Sequence, residues 1–78
     1  MPDLKCMKTL QQVQEELGKK LKDVREKQNF TQADVATRAE ISIGYDARIE
    51  RGEENPTLDI LYRLQKALRI KIQYVFPD

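Results

Sequence analysis

TQADVATRAEISIGYDARIERG, residues 31–52, decides the fold. It reads as two short helices joined by a tight turn and closed by a glycine. Thr31 suits the start of the first helix, because its hydroxyl can accept from a backbone N–H that has no partner within the helix. Ala33, Val35, Ala36 and Ala39 give that helix an inner face of small residues. Ser42 repeats the device for a second helix from about Ile43 to Arg51. Gly52 follows, the residue type that enters the left-handed region without steric cost. Neither helix is long enough to bury itself, so the flanking segments must supply the core.

Before this stretch, Leu10, Val13, Leu17, Leu21 and Val24 recur every three or four residues, which predicts a helix from about Met7 to Lys27 with one apolar face. Gly18 interrupts it at a cost of about 1 kcal/mol, as a kink or as the boundary of an N-terminal extension. Asn29 is placed to close this helix in the left-handed region, and Phe30 to drop into the core. After it, Pro56 bars helix continuation and Thr57 caps a helix whose stripe is Leu58, Leu61, Leu64 and Leu68, with Ile60 and Ala67 beside them. Arg69 to Lys71 turn out of that helix. Ile72 to Phe76 form a last helical turn or a short extended lid. No repeat or linker divides the chain, so it reads as one all-α unit.

Composition narrows the function classes. The 78 residues hold no His and one Cys, Cys6, which excludes a disulfide framework and the familiar His/Cys metal sites, and no nucleophile–base pair stands out. The expectation is a protein without cofactor or metal, and not an enzyme. No apolar run approaches a membrane span and the start lacks a signal-peptide core, so the expected location is cytoplasmic. Net charge is +1, but residues 31–56 carry three cations against six carboxylates while both flanks are positive. Affinity for a polyanion rests on Lys and Arg, so an acidic central segment counts against strong duplex binding by one copy.

The segments LGKKLKDVREKQNFTQADVA, ISIGYDARIERGEENPTLDILYRLQKAL and IKIQYVF, from Leu17 to Phe76, together resemble the Cro/C1-type helix-turn-helix family, also called XRE or lambda-repressor-like. The resemblance implies a compact five-helix bundle over residues 17–78, preceded here by an extension at 1–16 that either dimerises, or frays or folds back on the chain's own surface. It implies a DNA-binding repressor of transcription that acts as a homodimer and inserts its third helix into the major groove of double-stranded DNA. The implied contacts are Thr31, Gln32, Ser42, Ile43, Gly44, Ala47, Arg48, Arg51 and Asn55. Gln32 matches a glutamine that meets the DNA backbone and braces the reading helix, Arg48 has the chemistry to grip guanine, and Arg51 and Asn55 match phosphate-contacting positions. Arg25 and Glu50 match a partly buried structural ion pair.

Four departures stand on one surface. Asp46 occupies a position the family fills with a branched apolar residue, so it must find a cation, or the helix must rotate, or Tyr45 must take over the packing. Glu40 replaces the turn glycine, at about 1–2 kcal/mol if left-handed. Ile43 and Gly44 offer almost no hydrogen bonding where polar readers are usual; Ile43 is a methyl reader or part of a protein interface. Glu53 and Glu54 place negative charge where phosphates would lie. Arg48, if it does not read DNA, is expected to pair with Glu40 or Glu53. The alternative function is therefore a protein-interaction or antitoxin-like module on the same scaffold, with weak or lost DNA binding.

Overall fold

The computed structural model describes residues 8–71, and these described residues form four helices: α1 (Leu10–Lys27), α2 (Gln32–Ala39), α3 (Ile43–Glu50) and α4 (Leu58–Leu68). The expected count was five. Cys6 and the segment 72–76, where the last turn or lid was expected, lie outside the described residues.

Local chemistry sets the ends. Thr9, Thr31, Ser42 and Thr57 are all N-caps, each hydroxyl accepting from a backbone N–H three residues on. At Thr31 the bond is reciprocal, because Asp34 Oδ2 accepts from the Thr31 N–H at 2.8 Å. That hydrogen bond holds the Asp34 carboxyl below the usual carboxylate range. Helix α3 ends one residue earlier than expected, with Arg51 as its cap and Gly52 at φ 77°. There the Gly52 N–H donates to Ile49 O at 3.0 Å and the Glu53 N–H to Arg48 O at 2.9 Å, which satisfies the last carbonyls and turns the chain back along the helix. Asn29 (φ 60°), Glu40 (φ 59°) and Arg69 (φ 56°) are left-handed at the ends of α1, α2 and α4.

The core draws on all four helices: Leu17, Leu21 and Val24 of α1, Val35 and Ala39 of α2, Ile49 of α3, and Leu61, Leu64, Ala67 and Leu68 of α4. Full burial of a side chain such as Leu64 or Ile49 contributes roughly 1.5–3 kcal/mol. Helix α2 packs on α4 and α3, and α3 packs on α1. Phe30 and Tyr45 lie half-buried against this core. Two inward placements are corrected: Ala33 is exposed and Leu58 is 74% exposed. Both fall in a first helical turn, where the stripe runs past the edge of what it packs on.

Helix α1 runs unbroken through Gly18. This residue is the point where α1 crosses the end of α3: a Cβ there would sit 2.4 Å from Ile49 O and 2.5 Å from Glu50 O. A second close approach lies one turn away, where a Cβ on Gly52 would be 2.8 Å from Glu15 Cα. Residues 10–16 thus belong to the same helix as 17–27, with Gln11 Nε2 donating to Gly52 O at 3.4 Å.

Two substitutions separate helix propensity from packing. Gly18→Ala should destabilise by about 1–3 kcal/mol through the backbone clash, although alanine is the better helix former. Glu40→Gly should stabilise by about 0.5–1 kcal/mol by relieving the left-handed strain. Urea midpoints read both, and an unchanged midpoint for Gly18→Ala would show that α1 and α3 do not cross this closely.

Candidate nucleic-acid interface

Helix α3 is only eight residues long, and its inner side carries two carboxylates, Asp46 and Glu50, one turn apart and both buried. Glu50 is fully engaged. Arg25 Nε donates to its Oε2 at 2.7 Å and a second Arg25 nitrogen to its Oε1 at 3.1 Å. Gln32 Nε2 donates to the same Oε1 at 2.9 Å. Arg25 also donates to the carbonyl of Phe30 at 2.8 Å, so one guanidinium links α1, the α1–α2 turn and α3. The forked contact with Glu50 raises the Arg25 pKa and keeps it cationic.

Asp46 has no such satisfaction. It is 2% exposed, and its Oδ2 has no hydrogen-bond partner. Of the three accommodations the sequence left open, no cation bonds it and Tyr45 does not displace it; the carboxyl itself occupies the apolar position. Burial, followed by the charge of Glu50, pushes Asp46 up to about 7, against a smaller opposing pull from Arg25. Two carboxylates beside one arginine are tolerable when one of them keeps its proton.

The outer side of α3 presents Ile43 (53% exposed), Gly44 and Arg48, with Ala47 half-buried beside them. Ser42 is exposed at the start of the helix, its Oγ taken by the Tyr45 N–H at 3.0 Å. Thr31 and Gln32 begin α2; Thr31 is exposed, and Gln32 is half-buried and turned toward Glu50, so its bracing contact is made within the protein. Asn55 is exposed in the loop before α4. Arg48 pairs with neither Glu40 nor Glu53: its Nε donates to Glu54 Oε2 at 2.8 Å, and its guanidinium lies 5.8 Å from the Tyr45 ring. Arg51 forks onto Glu53 at 3.0 and 3.1 Å.

Residues 21–75 match the family model described as helix-turn-helix. The chain belongs to that family, in its Cro/C1-type branch. This helix-turn-helix protein is 33% identical over 66 residues to the transcriptional regulator ClgR of Mycobacterium tuberculosis, covering 85% of this chain and 59% of the relative. It is 34% identical over 62 residues to the immunity repressor of Bacillus phage phi105, covering 80% of this chain and 43% of the relative. The chain thus spans about half the length of these curated relatives. Among solved structures, it superposes on the restriction-modification controller protein C.AhdI of Aeromonas hydrophila with TM-score 0.78 and 26% identity, covering 80% of this chain and 94% of that one. On ClgR of Corynebacterium glutamicum the TM-score is 0.77 at 26% identity, covering 88% and 86%.

The seat of α3 carries a pH dependence whose sign is fixed. The folded protein holds the Asp46 proton up to about pH 7, whereas the unfolded chain releases it in the ordinary carboxylate range. Between those values the folded state binds more protons, so stability falls as pH rises, by at most roughly 1.4 kcal/mol per pH unit, and this contribution levels off above about 7. Asp46→Leu should flatten the slope between pH 5 and 7 and raise stability at pH 8 by about 2–3 kcal/mol. Denaturant titrations of both proteins across this range read the effect, and parallel slopes would refute it.

Proposed function

We propose that the chain is a DNA-binding regulator of transcription, acting as a repressor, that lays α3 in the major groove of duplex DNA. The observation that carries this reading is the division of α3 into two faces: Asp46, Ile49 and Glu50 are buried, while Ile43, Gly44 and Arg48 are presented outward. A short capped helix held in this way on a second helix is the geometry by which helix-turn-helix proteins approach base edges. Membership in the family and the regulator and repressor relatives support it.

In this reading Arg48 takes a guanine through two hydrogen bonds and Ile43 a thymine methyl, while Gly44 and Ala47 let the backbone come close. Thr31, Gln32, Ser42, Arg51 and Asn55 meet the sugar-phosphate backbone. The active form is a homodimer on two half-sites, since so few readers on one copy give little affinity. Residues 1–16 add to the dimer contact; Leu10, 60% exposed at the start of α1, supplies apolar surface for it. Action on DNA places the protein in the cytoplasm. Among the described residues no helix is long and apolar enough to cross a membrane. The exposure of Ile43 favours a second reading, in which the same face binds a protein partner.

Selection from a pool of random duplexes at low salt should enrich a sequence with two-fold symmetry. Arg48→Ala should then weaken binding by roughly 1–3 kcal/mol and relax preference at one base pair of each half-site. Recovery of no sequence at all would reject DNA reading and promote the protein-partner alternative.

A further inference from the structure

The two arginines on and beside the reading helix are both occupied by carboxylates of the loop that follows it. The turn at Gly52 brings the chain back, and Glu53 and Glu54 come to lie against Arg51 and Arg48. The Arg51–Glu53 contact is a fork on a fork, two parallel N–H to oxygen bonds at 3.0 and 3.1 Å, the geometry a guanidinium also makes with a phosphate. That contact holds the Glu53 carboxyl below the usual range, so it stays charged. Arg48, bonded to Glu54 at 2.8 Å, lies back over α3: a Cβ on Gly44 would be 3.5 Å from its guanidinium. The third cation of residues 31–56, Arg38, is stacked on Phe30 at 4.4 Å.

We propose that Glu53 and Glu54 are intramolecular stand-ins for DNA phosphates and tune the affinity of the reading surface. The proposal rests on the DNA-binding reading above. Arg48 and Arg51 reach a duplex only by exchanging a carboxylate for a base edge or a phosphate, and each released carboxylate then faces the polyanion. Exposed ion pairs are weak, so the exchange lowers affinity without forbidding binding. The opposition is electrostatic and is screened by salt, whereas a change in packing would not be.

The test compares the full chain with Glu53→Gln/Glu54→Gln on the duplex recovered by selection, across a range of salt. A charge-matched control is Asp23→Asn/Asp59→Asn, which removes the carboxylates that pair with Lys27 on α1 and Arg63 on α4. The glutamine variant should bind about tenfold tighter at about 50 mM salt and about twofold tighter at about 300 mM, giving a steeper fall of log affinity with log salt. The control should gain less than half as much. Equal or weaker binding by the glutamine variant, or an equal gain by the control, overturns the proposal and leaves the DNA-binding reading standing. If neither the wild type nor the glutamine variant binds any duplex, both fall together.

Discussion

One carboxylate fixes the seat of α3. Both oxygens of Glu50 are satisfied, by Arg25 from α1 and Gln32 from α2, and Arg25 reaches on to the Phe30 carbonyl. The pair is nearly solvent-free, so its attraction roughly offsets the desolvation of two ions and adds little net stability. Its effect is on geometry. A tilt of α3 that carries Glu50 away from Arg25 leaves a buried charge unpaired, at about 3–5 kcal/mol, which is a large fraction of the stability of so small a domain. Apolar burial of Ile49, Leu64 and Leu68 drives folding without direction; the Glu50 cluster supplies the direction. Gly18 makes it attainable, because only a residue without a side chain lets α1 lie against the last carbonyls of α3.

Asp46 strains this arrangement from within. It lies one turn before Glu50 on the same buried side, and both depend on a single arginine. The conflict is resolved by a proton on Asp46, so the helix is seated best where that carboxyl is neutral. An apolar residue there would remove the conflict. The aspartate instead makes the tightness of the seat depend on pH near neutrality, while its side chain stays out of reach of any ligand.

Much of the scaffold was legible because it follows from near neighbours. Thr31, Ser42 and Thr57 cap helices wherever the next residues are helical, and Asn29 and Gly52 turn left-handed as their side chains, or the lack of one, predict. Glu40 was expected to be strained only if left-handed, and at the end of α2 it is, with φ 59°. What was not legible depends on contacts distant in sequence. Helical spacing put Ala33 and Leu58 on an inner stripe but could not say where the neighbouring helix stops. The role of Gly18 needed the crossing with α3. On the candidate interface, the expected residues could be placed on their helices, but the partner of Arg48 depended on how far the Gly52 turn carries the next two residues back. The clash at Asp46 was visible through the family resemblance, whereas its protonation required the burial and the nearby charge of Glu50.

In a helix of two turns, structure and recognition must divide the residues between them. Ile49 and Glu50 face inward and are held by the core and the buried cluster, while Ile43, Gly44 and Arg48 face outward and contribute little to either. Changes on the outer face can therefore alter what is bound without disturbing the fold, and near-neutral chemistry there is compatible with a firmly held helix. Two residues cross the division. Gln32, at the start of α2, spends its amide on Glu50 at 2.9 Å and so ties that helix end to the cluster. Asp46 acts from inside: when it loses its proton, the repulsion from Glu50 falls on the bonds that orient α3. Both residues bear on the Glu50 carboxylate, Gln32 by a hydrogen bond to it and Asp46 through its charge.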